Sequence, residues 1–167
     1  MKAHDKNTRS LFNQIHLKQK KTSGFKRIEN LLSEKNLGLP KNYFKGKVCA
    51  DLGCGSTGAG ALNLLNMGAK EVHLMDMHKH IFKPLKSNLK KYDGKFHLHV
   101  GTLEKVPFKS NFFDFVLCAG VIHHMDNKRN ADKAFKEIHR TLKPGGKSHI
   151  VVTGENGIIP DIIFKTS

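Results

Sequence analysis

Two acidic residues and a group of glycines in the first half of the chain have the types and spacing of a nucleotide-like binding site. Asp51 follows an apolar run, Val48–Ala50, and precedes a loop that contains Gly53, Gly55 and Gly58. Glycine has no Cβ, so it lets the backbone turn sharply and lets a bound molecule approach the main chain. The pattern predicts the strand, glycine loop and helix that open a βαβ unit.

The second acidic residue, Asp76, ends the next apolar run, 18 residues after Gly58. A carboxylate at the end of a second strand is placed to bind two ribose hydroxyls, which suits both NAD and S-adenosylmethionine. Asp51 separates the two ligands, because a carboxylate beside the helix N-terminus would repel a pyrophosphate. S-adenosylmethionine has no phosphate and carries an ammonium and a sulfonium. The residues therefore favour the methyl donor.

Four motifs follow one another along the chain: Asp51–Gly55, Asp76, Phe115–His124 and Leu142–Gly146. Together they resemble the class I S-adenosylmethionine-dependent methyltransferases, especially the small-molecule subgroup similar to methyltransferase type 11. The resemblance covers residues 46–153. It implies an α/β, Rossmann-like three-layer sandwich with a mostly parallel sheet of strand order 3-2-1-4-5, connected by right-handed crossovers.

The resemblance also implies which residues contact the donor. Asp51 would support its amino-acid end, Asp76 would bind the ribose, and Met77 and Leu103 would flank the adenine. Thr102 stands where the family usually has an aspartate; its hydroxyl still accepts a hydrogen bond from the adenine, more weakly than a carboxylate. The full set expected at the donor is Asp51, Gly53, Cys54, Gly55, Gly58, Asp76, Met77, Thr102, Leu103 and Ala119.

Several histidines are candidates for chemistry. His123 and His124 follow the predicted fourth strand, where a neutral imidazole could take a proton from the acceptor. The alternative is that they only shape the cleft, since methyl transfer often needs little beyond alignment and desolvation. His97 and His99 share a face of the third strand but have no third ligand at matching spacing. Asp76, His78 and His80 also alternate like metal ligands, but ribose binding already explains Asp76. We expect no metal site.

The composition indicates one domain with its own core, because the chain has 167 residues of which 38% are hydrophobic. We expect a helical N-terminal extension over 1–45, with two helices between 8 and 36, then the donor-binding core over 46–153. The sequence shows no long apolar run and no signal peptide. Three cysteines without zinc spacing indicate reduced thiols in a cytoplasmic protein.

The net charge of +15 allows two interpretations, an acidic partner such as nucleic acid or a lysine-rich solvated surface. Only four of the 29 basic residues are arginine, and the chain has two tyrosines and no tryptophan. Nucleic-acid binding relies on arginine forks and on aromatic stacking, so the solvated surface is favoured. We expect a small-molecule acceptor. The alternatives are an RNA-directed methyltransferase, a non-catalytic cofactor-binding fragment and, less favoured, an NAD-dependent oxidoreductase.

The C-terminal part, residues 154–167, is expected to be the start of a truncated region, because the family's complete sheet has two further strands. Residues 153–157 have the composition of a turn, and Pro160 interrupts the apolar stretch 158–164. The predicted fifth strand, Ser148–Val152, would then be an exposed apolar edge. Such an edge favours pairing with another chain, so we expect self-association through it.

Overall fold

A six-stranded sheet forms the centre of the computed structural model, which describes residues 31–154, 157–158 and 162–165. The sheet consists of β1 (Val48–Leu52), β2 (Glu71–Asp76), β3 (Phe96–Val100), β4 (Phe113–Ala119), β5 (Leu142–Val151) and β8 (Ile162–Lys165). A separate antiparallel pair is formed by β6 (Thr153–Gly154) and β7 (Gly157–Ile158). The strand order is β3-β2-β1-β4-β5-β8, with β1 to β5 parallel. The predicted order 3-2-1-4-5 is confirmed.

Three helices in the described residues connect these strands: α1 (Ala59–Asn66), α2 (Phe82–Asn88) and α3 (Lys128–Thr141). Short 3-10 turns cover Lys79–Ile81, Lys90–Tyr92 and Ile122–His124. The helices expected over 8–36 lie outside the described residues up to position 30. No described helix combines the length and the apolar composition needed to cross a bilayer.

The central strands β1 and β4 bury side chains on both faces, which is why they are mostly apolar, whereas the edge strand β3 alternates apolar residues with histidine. One core cluster contains Val72 and Leu74 of β2 with Leu64 of α1 and Leu85 of α2. The other contains Met75 of β2 with residues of α3 such as Ile138. Because neighbouring residues of a strand point to opposite faces, the two clusters lie on opposite sides of the sheet. The predicted three-layer sandwich is confirmed.

Arg140 near the end of α3 fixes the loop between β3 and β4. Its guanidinium forms two hydrogen bonds with the Glu137 carboxylate, at 2.7 and 2.8 Å. It also donates to the carbonyl oxygens of Phe108, at 2.8 Å, and Val106, at 3.1 Å. The Arg140 hydrogen bonds are the main reason why the pKa of Glu137 lies below its usual range. The loop that follows β3 is thereby tied to the helix layer.

The expectation of an open edge at the fifth strand is wrong. Strand β8 pairs antiparallel with β5, from Lys147 opposite Lys165 to Ile150 opposite Ile162. Proline interrupts pairing only at its own position, and the β-branched and aromatic residues of β8 begin two positions after Pro160. One strand beyond β5 is therefore present, and self-association through a bare β5 loses its structural basis.

Candidate active site

The first carboxylate of the site is built into the junction between β1 and α1. Asp51 precedes the last residue of β1 and is only 4% exposed. Its Oδ2 accepts a hydrogen bond from the backbone N–H of Ala61, in the first turn of α1, at 3.0 Å. A Cβ at Gly60 would lie 2.6 Å from that oxygen. Glycine at position 60 thus allows the helix to pack directly on the carboxylate.

The second carboxylate joins the glycine loop to the end of β2. Asp76 is the last residue of β2 and is 7% exposed. Its Oδ2 accepts from the backbone N–H of Gly55 at 3.2 Å. Its Oδ1 accepts from the backbone N–H of His78 at 3.0 Å, and the His78 Nδ1 lies 3.2 Å from the same oxygen. These contacts orient the carboxylate at the carboxyl end of the sheet, between the first two strands.

The pKa of Asp51 depends on its burial and on the neighbouring carboxylate. Burial, above all, raises the pKa of Asp51 to about 7; the Ala61 N–H opposes this rise and the charge of Asp76 adds to it. A buried carboxyl in this state is stabilised as an anion by any cation that comes close. The arrangement therefore favours a ligand that brings positive charge and hydroxyl donors.

Two of the loop glycines serve the packing of the protein itself. Gly53 has φ +81° and Gly58 has φ +63°, a region that other residues rarely adopt. A Cβ at Gly53 would overlap the side chain of Val121, just after β4, and a Cβ at Gly58 would overlap Leu85 of α2. The sequence explains these glycines by close approach of a ligand. In the structure they also let the loop fit between β4 and α2.

The other residues predicted to contact the donor are of two kinds, those with exposed side chains at the rim of the site and those with buried side chains. Met77 is 43% exposed directly after Asp76, and Thr102 is exposed after β3. Cys54 and Leu103 have buried side chains in the two core clusters, so they would meet a ligand mainly through their backbone. Ala119 is partly exposed at the end of β4. The contacts of these residues with a donor remain predictions.

His123 and His124 lie in the short turn that follows β4. Their ring centroids are 3.8 Å apart, with an angle of 50° between the ring planes. Burial, followed by the proximity of His123, lowers the pKa of His124, so this imidazole is neutral near pH 7. Strand β4 pairs with β1 through Leu117 and Asp51, which places this turn at the same end of the sheet as the glycine loop. Their role as bases remains a prediction.

Sequence reasoning did not select two residues that shape the site. His78 contacts the Asp76 carboxylate, and Val121 fills the space beside Gly53. The signal for His78 was its position two residues after Asp76, which suits a side chain that turns back on the strand end. The sequence contains no comparable signal for Val121, because its contact depends on how β4 lies against β1.

S-adenosylmethionine, the cofactor that the sequence motifs imply, fits these residues. The donor has a cationic amino-acid end and two ribose hydroxyls, which match two buried carboxylates at adjacent strand ends. A dinucleotide fits less well, because Asp51 already accepts from an N–H at the start of α1 that a pyrophosphate would use. Asp51 and Gly55 would face the amino-acid end, and Asp76 would hold the ribose.

The comparisons with known proteins agree with this chemistry. The model of the methyltransferase domain family matches residues 50–150, more than half of the chain. The chain is 33% identical over 137 residues to an uncharacterized protein of Methanocaldococcus jannaschii, in a match that covers 82% of this chain and 55% of that protein. It is 30% identical over 132 residues to a tRNA U34 carboxymethyltransferase of Campylobacter curvus, with coverage of 75% and 42%.

A solved structure extends the likeness to nearly the whole chain. Phosphoethanolamine N-methyltransferase 1 of Haemonchus contortus, crystallised with phosphoethanolamine and S-adenosylhomocysteine, has a TM-score of 0.74 and 14% identity, covering 93% of this chain and 34% of that chain. At this identity the likeness concerns the fold alone. The chain spans about half the length, or less, of these relatives. With the family match, the strand order and the two strand-end carboxylates in agreement, the chain belongs to the class I S-adenosylmethionine-dependent methyltransferases.

Proposed function

We propose that the chain binds S-adenosylmethionine and transfers its methyl group to an O, N or C nucleophile of a small molecule. The observation that carries the proposal is the pair of buried carboxylates, Asp51 and Asp76, at the carboxyl ends of adjacent parallel strands. Like charges in such a site favour a cationic ligand and disfavour a phosphate. Family membership gives the reaction, and the two carboxylates support the proposed orientation of the donor.

Each end of the donor has its own part of the site in this proposal. Asp51 attracts the ammonium, and the backbone of the glycine loop surrounds the amino-acid end. Asp76, already oriented by Gly55 and His78, accepts hydrogen bonds from the ribose hydroxyls. Met77 and Thr102, both exposed at the rim, lie where the adenine would leave the sheet. Leu103 supports this rim from the core.

When bound, the donor supplies a methyl group on a positively charged sulfur. The acceptor's lone pair forms the new bond to the methyl carbon while the carbon–sulfur bond breaks and its electron pair stays on sulfur. The protein's task is to align the two groups in a line and to exclude water. His123 or His124 takes the acceptor's proton where the acceptor is not already deprotonated.

The described surface supports a small acceptor over RNA. Met77 and Val100 are the exposed large apolar side chains among the described residues, and every phenylalanine and tyrosine with a described side chain is at least partly buried, which limits the rings that could stack on bases. Arg140 is engaged by Glu137 and by backbone carbonyls. The ring of Tyr43 has the ammonium groups of Lys47 and Lys147 at 5.0 Å. The basic charge of the described residues is thus mostly lysine, and the Tyr43 ring that lies near this charge is already in contact with lysine side chains.

RNA is the second candidate. The net charge of +15 and the similarity to a protein named as a tRNA carboxymethyltransferase favour it. Non-specific binding of nucleic acid by lysines weakens steeply with salt. A chain that only carries a solvated basic surface should therefore release RNA at physiological salt, whereas an RNA methyltransferase should retain it and methylate it.

The proposal places the protein in the cytoplasm. Cys49, Cys54 and Cys118 are free and buried. Burial raises the pKa of all three thiols, so they remain protonated and unreactive. Free buried thiols suit a reducing compartment.

Titration calorimetry with S-adenosylhomocysteine and NAD tests the donor assignment. The wild type should bind S-adenosylhomocysteine and not NAD. Asp76→Ala should weaken that binding by roughly 1.5–3 kcal/mol, the range for hydrogen bonds to a charged group. Asp132→Ala, which removes an exposed carboxylate on α3, is the matched control and should change nothing. Unchanged affinity in Asp76→Ala, or preference for NAD, would contradict the proposal.

Transfer of labelled methyl groups then identifies the acceptor class. The wild type is incubated with total tRNA and, separately, with a small-molecule extract from which macromolecules have been removed. Label that appears only in the small molecules supports the proposal, and label in tRNA at physiological salt supports the RNA alternative. Donor binding without transfer to either would indicate the non-catalytic fragment.

A further inference from the structure

A second polar cluster lies on the same strand as Asp76 but away from its carboxyl end. Glu71 and His73 are two residues apart on β2, so their side chains point to one face of the sheet. In the parallel register His73 lies opposite His97 of β3, and Met75 lies opposite His99. The sheet thus collects one carboxylate and three imidazoles on one face, next to an edge strand.

Three of these side chains bring potential ligand atoms close together. The Nε2 of His73 lies 3.8 Å from Oε1 of Glu71, and the Nε2 of His97 lies 3.7 Å from Oε2 of the same carboxylate. One ligand atom from each of the three residues lies within 4.8 Å of the other two. Tetrahedral zinc with bonds of 2.0–2.1 Å needs its ligand atoms about 3.4 Å apart. Small side-chain rotations would close the difference.

The remaining histidine fixes the ring of His73 in a suitable orientation. His99 Nε2 lies 3.1 Å from His73 Nδ1, and the two rings are nearly parallel, at 22°. When Nδ1 of His73 carries the ring proton, it donates a hydrogen bond to Nε2 of His99. The lone pair of His73 is then on Nε2, which faces Glu71. That Nε2 is buried and has no hydrogen-bond partner. A ligating histidine is typically held by such a hydrogen bond from its other ring nitrogen.

The surroundings of the cluster hold the His73 ring in place and leave the His97 ring accessible to solvent. The rings of Phe108, Phe112 and Phe113 lie edge-on or tilted against His73, with centroids 5.2–5.6 Å away. Burial, followed by the neighbouring histidines, lowers the pKa of His73 to about 4, so it is neutral at physiological pH. His97 is 44% exposed, so an ion can reach the cluster from solvent.

We propose that Glu71, His73 and His97 form a binding site for a divalent transition-metal ion of the zinc class, with His99 positioning His73. Two imidazole nitrogens and one carboxylate oxygen suit Zn²⁺, and also Co²⁺ and Ni²⁺, better than Mg²⁺ or Ca²⁺, which prefer oxygen ligands. Solvent would supply the fourth ligand. The ion would connect β2 to the edge strand β3.

Competition with a chromophoric chelator measures metal binding at this site in the 167-residue chain. The wild type, freed of metal, should bind one Zn²⁺ per chain and should not respond to Mg²⁺. His97→Ala and Glu71→Gln should each weaken Zn²⁺ binding about tenfold or more, while circular dichroism confirms that they fold. His139→Ala removes a histidine exposed on α3 and should leave the affinity within about twofold of the wild type.

The spectrum of the Co²⁺ complex separates this site from others in the same chain. A four-coordinate nitrogen and oxygen site gives visible d–d bands without sulfur-to-metal charge transfer, and His97→Ala should abolish them. Charge-transfer bands would place the metal on a cysteine and overturn the proposal. Equal weakening by His139→Ala and His97→Ala would show diffuse binding to surface histidines, and no stoichiometric Zn²⁺ binding would also overturn it.

Discussion

Strand β2 carries two polar clusters that are held in different ways. At its carboxyl end, Asp76 is oriented mainly by backbone N–H groups, those of Gly55 and His78. Nearer its start, the side chains of Glu71 and His73 contact each other and the side chains of His97 and His99 of β3. Backbone donors are fixed as soon as the fold forms, whereas side-chain partners depend on the register of two strands and on rotamers.

The comparison also separates two kinds of electrostatics. The proposed donor site concentrates buried carboxylates that favour an incoming cation, whereas the histidine cluster concentrates imidazoles with one partly exposed carboxylate. Burial shifts the pKa of Asp51 upward and that of His73 downward, because in both cases it disfavours the charged form. The stability of the chain should therefore respond to pH with opposite signs at the two places.

The largest effect is expected at Asp51. Its folded-state pKa is about 7 against 3.8 ordinarily, so the native chain holds a proton that the unfolded chain has released between these values. Stability from this group is therefore lost as pH rises through that window, by at most about 4 kcal/mol. Asp51→Asn keeps an oxygen for the Ala61 N–H and removes the charge. Without donor, the variant should be more stable than wild type at about pH 8.

Urea unfolding of both proteins near pH 5 and near pH 8 provides the measurement. The advantage of Asp51→Asn should grow with pH. An advantage that is the same at both values would show that the buried carboxyl is not the source. The same variant should bind S-adenosylhomocysteine more weakly than wild type. The Asp51 charge, which destabilises the folded chain, is also the charge that attracts the ammonium group of the ligand.

A smaller effect of opposite sign is expected at His73. Its pKa is lowered from 6.5 to about 4, so the unfolded chain takes up a proton that the native chain resists. Stability is complete above the unfolded value and is lost as pH falls towards 4, by at most about 3 kcal/mol. His73→Leu, in the presence of a metal chelator, should remove this acid sensitivity.

The control for His73 is His139→Leu, at an exposed position of α3, which should leave the acid limb of the stability profile unchanged. If His73→Leu loses stability on acidification as steeply as wild type does, the sensitivity resides in other groups. The neighbouring His99 also has a lowered pKa and would be the next candidate.

The sequence predicted where the two carboxylates of the proposed donor site lie, because each stands at the end of an apolar run, whereas their contacts with a donor remain predictions. Asp51 and Asp76 mark the carboxyl ends of two strands, and parallel strands bring such ends together. The register of β2 against β3 cannot be read from the position of residues within their own apolar runs. The proposed ligand set of Glu71, His73 and His97 was therefore missed, because the sequence analysis considered His97 and His99, found no third ligand and predicted no metal site.

Two further features depended on tertiary context. Strand β8 is four residues long and follows a proline, so its local pattern is too weak to distinguish a strand from a loop. The need for glycine at position 60 follows from the distance between α1 and the Asp51 carboxylate, which is a packing property. The order of β1 to β5 was readable from the sequence, whereas the type of β8 and the contacts between elements were not.

The smallest effect is expected at His78, and it shows how much of the Asp76 geometry depends on backbone groups. His78→Ala removes the ring nitrogen 3.2 Å from Asp76 Oδ1 but keeps the backbone N–H that donates to the same oxygen at 3.0 Å, as well as the Gly55 N–H. Affinity for S-adenosylhomocysteine should therefore fall by only about 0.5–1.5 kcal/mol, the value of one ordinary hydrogen bond. Titration calorimetry of His78→Ala and Asp76→Ala side by side compares the two losses of affinity directly. A loss in His78→Ala as large as that in Asp76→Ala would mean that the side chain, and not the backbone, holds the carboxylate in place. The contrast between the two ends of β2 would then disappear.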